Sequence, residues 1–247
     1  MEYRKLTNNE YQELESLILY EDNHLLIVNK RAGDIVQGDK TGDETLAEKY
    51  KAFIAERDNK PGKVFMGIPH RLDRPVSGIT VLAKTSKALE RMTALFREGG
   101  VKKIYWAICC GEPAEPSGSL ENYLVKNEKL NKSFIVKNEA SEKTAKLAKL
   151  NYSLLCKTER YFLIEIELLT GRHHQIRCQL AGIGCIVKGD LKYGARRSNP
   201  DGSISLHARS ISFVHPIKKT DLEVKAPAPS SWEVILSDYL NSPEDIT

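Results

Sequence analysis

The sequence predicts an α+β protein, a mixed sheet with helices and loops around it. Three observations carry that expectation. Apolar residues alternate at period two in several runs, most cleanly from Lys102 to Cys110 and from Tyr161 to Leu168. Other stretches repeat apolar residues at helical spacing, as Leu46, Tyr50, Phe53 and Ile54 do. The two kinds are interspersed without a regular β-α-β rhythm, and several strands lie close enough to be joined as hairpins. The chain has 247 residues, 41% of them hydrophobic, which suffices for the core of one large domain or two small ones.

Thr7-Asn-Asn-Glu10 is a capping-box pattern ahead of a short helix with Leu14, Leu17 and Ile18 on one face. Asn23 to Lys30, a compact apolar run between polar residues, reads as a strand that Ala32-Gly33 turns away. Asp43 to Lys60 reads as a helix stopped by Pro61-Gly62. Lys63 to Ile68 and Ile79 to Ala83 read as strands on either side of a polar turn. Ser86 caps a helix that turns Leu89, Met92, Leu95 and Phe96 inward and ends at Gly99-Gly100. In the strand from Lys102 to Cys110, Ile104, Trp106 and Ile108 share one face, so Tyr105 points away from its most apolar neighbours.

Gly111 to Gly118 is a turn rich in Pro and Gly. Lys126 to Lys149 carries seven lysines and few large apolar residues. It reads as an exposed excursion with a hairpin around Ser133 to Val136, either a solvated loop or an arm that contacts phosphates. Leu147 to Cys156 and Tyr161 to Leu168 form a strand pair. Thr170-Gly171-Arg172 then opens a helix containing His174, Gln175, Ile176, Arg177 and Leu180, closed by Gly182 and Gly184. Lys188 to Gly202 is a polar loop, and His207 to Val214 a further strand stopped by Pro216. Ser230 to Glu233 is a second capping box, for a helix with Trp232, Ile235, Leu236, Tyr239 and Leu240 on one face.

Lys and Arg exceed Asp and Glu by 37 to 33, a net charge of +4 that permits a nucleic-acid partner without demanding one. The five cysteines are odd in number and none forms C-x-x-C, which argues against a disulfide framework or a structural zinc and for small core residues in a reducing cytoplasm. The opening Met1-Glu-Tyr-Arg-Lys is followed by no apolar run of a signal peptide, and no stretch reaches membrane-spanning length. His173, His174, His207 and His215 have no Cys or carboxylate at ligand spacing; as neighbours on a helix, His173 and His174 would point apart, and all four read as hydrogen-bonded structural histidines. Cys178 reads as packing beside Arg177.

Three places can carry chemistry. His70-Arg-Leu-Asp73-Arg-Pro-Val-Ser-Gly78 sets a carboxylate between two arginines that favour its ionised form. Tyr105 offers an aromatic face and a hydroxyl, and Arg177 a guanidinium. A carboxylate, an aromatic hydroxyl and an arginine suffice for covalent chemistry at an electrophilic carbon such as a sugar C1′.

The stretch from His70 to Gly78, with Ala83-Lys84 after it, resembles the catalytic motif of the RluA-type pseudouridine synthases. Lys103-Ile-Tyr105-Trp-Ala107 is similar to their second motif. Leu169 to Leu180 followed by Gly189-Asp190-Leu-Lys-Tyr193-Gly194 resembles their third. Tyr20 to Gly33 resembles their opening motif, and Leu206-His207-Ala208-Arg209 a late one. The resemblance spans about residues 18–216, in family order. It implies a long, mostly antiparallel mixed sheet in two halves with the cleft between them, a single catalytic domain over residues 1–247, and no separate N-terminal RNA-binding domain.

It also implies a reaction, the conversion of uridine in tRNA or ribosomal RNA to pseudouridine, that needs no metal or organic cofactor; the sequence leaves oligomeric state open, with a monomer the expectation. Asp73 is the implied nucleophile and Tyr105 the residue that stacks on uracil and assists removal of the C5 proton. Arg177 is implied as the ion-pair partner of Asp73. Arg71 occupies the space of the flipped nucleotide, Leu180 packs at the pocket wall, and Leu72, Arg172 and His174 belong to the RNA-binding set. The chain departs from the family pattern at Arg31, Val76, His173, Gln179, and Cys185-Ile186. These bear on substrate choice more than on the three central residues. Two other classes compete: a catalytically silent RNA-binding protein of the same fold, which has no evident need for the trio, and a nucleoside hydrolase, which commonly pairs two carboxylates.

Overall fold

The structure, a computed structural model, describes residues 3–38, 42–59, 62–138 and 143–240. Lys60 and Pro61, at the expected stop of the second helix, and four residues of the lysine-rich stretch lie outside them. The chain divides into two compact units, Met1–Val101 with Ser210–Pro227, and Lys102–Arg209 with Ala228–Thr247. Seven strand pairings among the described residues are antiparallel, and the expected α+β class with mostly antiparallel strands is what forms.

Unit 1 opens with α1 (Asn8–Ser16), whose capping box is present as expected: the Thr7 side chain accepts from Glu10 N–H, and the Glu10 carboxylate accepts from Thr7 N–H. Ile18 is not on that helix; it starts β1 (Ile18–Glu21), which pairs with β2 (Leu25–Lys30) through a tight connection at Asp22. Asp22 Oδ1 accepts from the backbone N–H groups of His24 and Leu25 at 2.7 Å, which closes the hairpin. Helix α2 (Leu46–Arg57) has a capping box of its own, Thr45 with Glu48, and starts later than Asp43 because this box fixes its first turn. Strand β3 (Ser77–Ala83) pairs along the whole of β2. Helix α3 (Ser86–Glu98) is capped by Thr85 rather than Ser86, and Gly99 ends it in the left-handed conformation. The core gathers Leu26, Val28, Tyr50, Phe53, Ile54 and Leu82, each fully or almost fully buried, at roughly 1.5–3 kcal/mol per large apolar side chain.

The expected strand over Lys63 to Ile68 does not form. Only Gly67 pairs, with Ala83, by two backbone hydrogen bonds of 2.8 Å. Pro69 has no N–H, so the ladder cannot pass it.

Unit 2 is built on β4 (Val101–Cys109), β8 (Phe162–Leu168), β7 (Lys146–Lys157), β5 (Ser117–Asn127) and β6 (Lys132–Val136), neighbours in that order. Alternation holds in pairing but not in burial along β4: Tyr105 through Cys109 are all buried, because both faces are covered there. The lysine-rich stretch contributes β6, which pairs with β5 from Tyr123↔Val136 to Asn127↔Lys132, so the expected hairpin is present. One face is covered by Trp232 and by Leu236 of α5 (Glu233–Leu240), packed on Trp106, Ile108 and Leu163. The second capping box is absent; a single 3₁₀ turn over Ser230–Trp232 precedes α5, with no side-chain cap at Pro229. Strand β9 (Leu206–Val214) has its first four residues in unit 2 and its last five in unit 1, where β10 (Asp221–Lys225) pairs with it. Among the described residues no helix is long and apolar enough to cross a membrane.

Candidate active site

In unit 1 the chain from Arg71 to Val76 is a loop with Asp73 at its centre. Asp73 and Leu72 are half-buried, and Arg71 is exposed. The loop is held from behind. The Asp73 carbonyl accepts from Val76 N–H at 3.1 Å, and the Arg74 carbonyl accepts from Gly33 N–H at 2.8 Å. The Arg74 side chain turns away to Asp43, at 2.9 Å. At the start of β3, Gly78 stands opposite Lys30 with φ +110°, which a side chain would resist.

Lys30 sits beneath this loop. Its side chain is 1% exposed, and Nζ donates to the carbonyls of Arg31 and Asp34 at 2.8 Å and of Arg74 at 3.2 Å. Three donors meet three acceptors, so the buried ammonium is satisfied without a direct carboxylate contact. Burial lowers its pKa to about 8, against the pull of the nearby charges of Asp34 and Asp73.

In unit 2, Arg177 belongs to α4 (Gln175–Gly182) and is buried. Its Nε and Nη2 donate to the two carboxylate oxygens of Asp190, at 2.6 and 2.8 Å, and its guanidinium carbon lies 5.2 Å from the centroid of the Tyr193 ring. A bidentate fork at an Asp that is 1% exposed fixes the arginine in one rotamer. Gly189 makes this approach feasible. Its φ is +86°, and an added Cβ would come within 2.8 Å of the Ser203 carbonyl. Tyr105 is buried on β4 opposite Ile166, and Leu180 is fully buried on α4. Arg172 is exposed, with Nε on the Leu147 carbonyl at 2.9 Å.

His174 differs from expectation. It is not inside the helix but caps it in the left-handed conformation, φ +51°. This lets its ring stack on His173 at 3.8 Å between centroids, where two helical neighbours would point apart. The pair is hydrogen-bonded, His174 Nδ1 to the Tyr193 hydroxyl at 3.2 Å and His173 to Ser133 and Asn131. Tyr193 thereby ties the β6 hairpin to the lead-in of α4, and burial raises its phenol pKa.

The family model for RNA pseudouridylate synthase matches residues 24–182, which takes in Asp73, Tyr105 and Arg177. The chain belongs to this family. It is 35% identical over 92% of its length to the ribosomal large subunit pseudouridine synthase C of Vibrio parahaemolyticus, covering 70% of that protein. It is 30% identical to the ribosomal large subunit pseudouridine synthase D of Zymomonas mobilis, over 92% of this chain and 74% of the relative. Among solved structures, human RNA pseudouridylate synthase domain containing 4 shares the fold, with a TM-score of 0.77 at 24% identity, covering 93% of this chain and 95% of that one. The protein is thus an RNA pseudouridine synthase, an isomerase acting on uridine in RNA, and the silent-binder and hydrolase readings are not favoured.

Three residues that the structure places around the expected site residues are not singled out by the sequence reading. Asp190 stands in the sequence only as part of a polar loop and of the third motif, with no partner assigned to it. Tyr193 and Lys30 were seen as motif members only. The Lys30 site has a pH signature. The folded protein releases this proton near pH 8, whereas the unfolded chain keeps it to about pH 10.4. Between these values the unfolded chain binds more protons, so this group makes stability rise with pH. Compared with Lys30→Met, wild type should gain roughly 3 kcal/mol of relative stability from pH 7 to pH 10.5. Urea unfolding of both proteins across that range checks it; a constant difference would contradict the assignment.

Proposed function

We propose that the substrate is large-subunit ribosomal RNA, with Asp73 as nucleophile, Tyr105 stacked on the uracil, and Arg177 as the cation that keeps the nucleophile ionised. The observation that carries the assignment of Asp73 is its placement: a half-buried carboxylate on a loop whose backbone is clamped by Lys30 and Gly33. That is what an attacking group needs, fixed direction with an open approach. The names of the relatives support ribosomal RNA over tRNA.

In this reading the uridine is extruded from its stack, at a cost of a few kcal/mol. Arg71, exposed beside Asp73, takes the vacated space, and Leu72 and Arg172 contact the RNA. His174 acts by holding Tyr193, and Leu180 backs the pocket. The N1–C1′ bond breaks, the base turns, C5 bonds to C1′, the C5 proton leaves and N1 gains one. No electrons are transferred to a third party, so no redox cofactor enters the balance.

The lysine-rich hairpin supports phosphate contact. Lys129, Lys137, Lys143 and Lys146 are exposed, and Phe134, 39% exposed, lies among them with Lys132 Nζ 5.4 Å from its ring centroid. Lys129→Ala and Lys146→Ala should each weaken RNA binding and flatten the log K against log salt slope by about 0.7–0.9. Unchanged slopes would remove the lysine-rich stretch from the interface. We further propose that both units make one catalytic domain acting as a monomer in the cytoplasm, since one chain carries all three central residues and its cysteines have no disulfide spacing.

The substrate is tested by incubating the protein separately with large-subunit RNA, small-subunit RNA and bulk tRNA, then mapping pseudouridine by carbodiimide adducts that stop primer extension. New stops in large-subunit RNA are expected. New stops confined to tRNA would overturn the substrate while keeping the reaction.

A further inference from the structure

Residues 67–70, Gly-Ile-Pro-His, run beside the end of β3 and start a ladder they cannot continue. Gly67 N–H donates to the Ala83 carbonyl and Ala83 N–H to the Gly67 carbonyl, both at 2.8 Å. In such an antiparallel pair, hydrogen-bonded partners recur every second residue, which puts Pro69 opposite Val81. Proline has no N–H to give, so that pair cannot close on both sides. The missing proline N–H deprives the Val81 carbonyl of its strand donor and ends regular pairing there, and the buried Val81 N–H still needs an acceptor, since leaving it without one is strongly unfavourable. The structure answers with a side chain: Nε2 of His70 accepts the Val81 N–H at 2.9 Å. The ring stands in for a strand carbonyl, and an accepting Nε2 requires the hydrogen on Nδ1. The ring is held flat on Phe96 of α3, with centroids 4.4 Å apart and planes 22° from parallel.

Asp73 lies three residues beyond His70. The far side of its loop is fastened at Arg74 by Lys30 and Gly33. On the near side the last backbone pairing is at Gly67. We propose that His70 is a positioning residue for Asp73: a side-chain latch that carries the interrupted ladder one step further and fixes the near end of the catalytic loop. This rests on the assignment of Asp73 as nucleophile. The latch predicts that an acceptor at the reach of Nε2 matters, while imidazole chemistry does not.

His70→Phe keeps a ring for Phe96 and removes the acceptor; His70→Gln returns an acceptor without the ring. Three quantities are read on each: hydrogen exchange of the Val81 amide by NMR, the single-turnover rate, and RNA affinity. In His70→Phe, Val81 exchange should rise roughly 10- to 100-fold. The single-turnover rate should fall by a similar roughly 10- to 100-fold factor while RNA affinity changes less than about threefold. His70→Gln should recover most of both. Wild-type exchange at Val81 in His70→Phe overturns the latch. Faster exchange with an unchanged rate overturns the positioning role, as does a rate that His70→Gln fails to restore while protecting Val81. If wild type itself gives no product, the assignment of Asp73 fails instead, and Val81 exchange still decides the latch.

Discussion

Asp73→Asn should abolish product formation and leave the protein folded. The amide is nearly isosteric but cannot act as an anionic nucleophile, and loss of such a group lowers turnover by about 10⁴-fold or more. The fold should tolerate the change because Asn keeps the size of Asp and the loop is also anchored through backbone groups, the Asp73 and Arg74 carbonyls accepting from Val76 and Gly33 N–H. Stability should change by no more than about 1 kcal/mol. Single-turnover assays beside thermal unfolding check both parts. Near wild-type turnover would remove Asp73 from the chemistry, and gross unfolding would show that the loop depends on its carboxylate.

The second large effect lies at Asp190. Its carboxylate accepts from Nε and Nη2 of Arg177, and both residues are buried. Asp190→Ala removes the bidentate partner of a buried guanidinium, a loss of about 3–5 kcal/mol. Turnover should fall steeply as well, since Arg177 loses its fixed rotamer. The double variant Asp190→Leu/Arg177→Met separates the two consequences. Removing both charges together should return most of the stability, because well-packed apolar side chains replace buried ion pairs with little penalty. Activity should stay lost. Denaturant unfolding of the three proteins reads the first, and product formation the second. A double variant as unstable as Asp190→Ala would mean that the pair is held for packing rather than for charge balance.

These two sites mark what was legible in the sequence. Asp73, Arg177 and Tyr105 could be named because each stands in a short run whose residue order is itself distinctive. Strands β4, β7 and β8 could be drawn because apolar alternation is strong in them. Asp190 could not be matched to Arg177 from spacing: the two are thirteen positions apart, joined by a helix end and a turn that only Gly189 permits. Strands β5 and β10 were missed for another reason. Ser117–Asn127 alternates poorly, with Tyr123, Leu124 and Val125 adjacent, and Asp221–Lys225 is only five residues long; both are strands because neighbours offer ladders to pair with. The opposite error came at Lys63 to Ile68, where Val64 and Met66 are buried at strand spacing but Pro69 ends the pairing after one step. His174 was drawn inside a helix because nothing local announces a left-handed cap at a histidine.

The central claim is that this chain isomerises uridine in ribosomal RNA through Asp73. It is tested most directly by tritium release from large-subunit RNA labelled at uracil C5, comparing wild type with Asp73→Asn, because the C5 proton leaves only when the base is reattached through carbon. Release by wild type and none by Asp73→Asn is the predicted result. Equal release from both, or none from wild type, would contradict it.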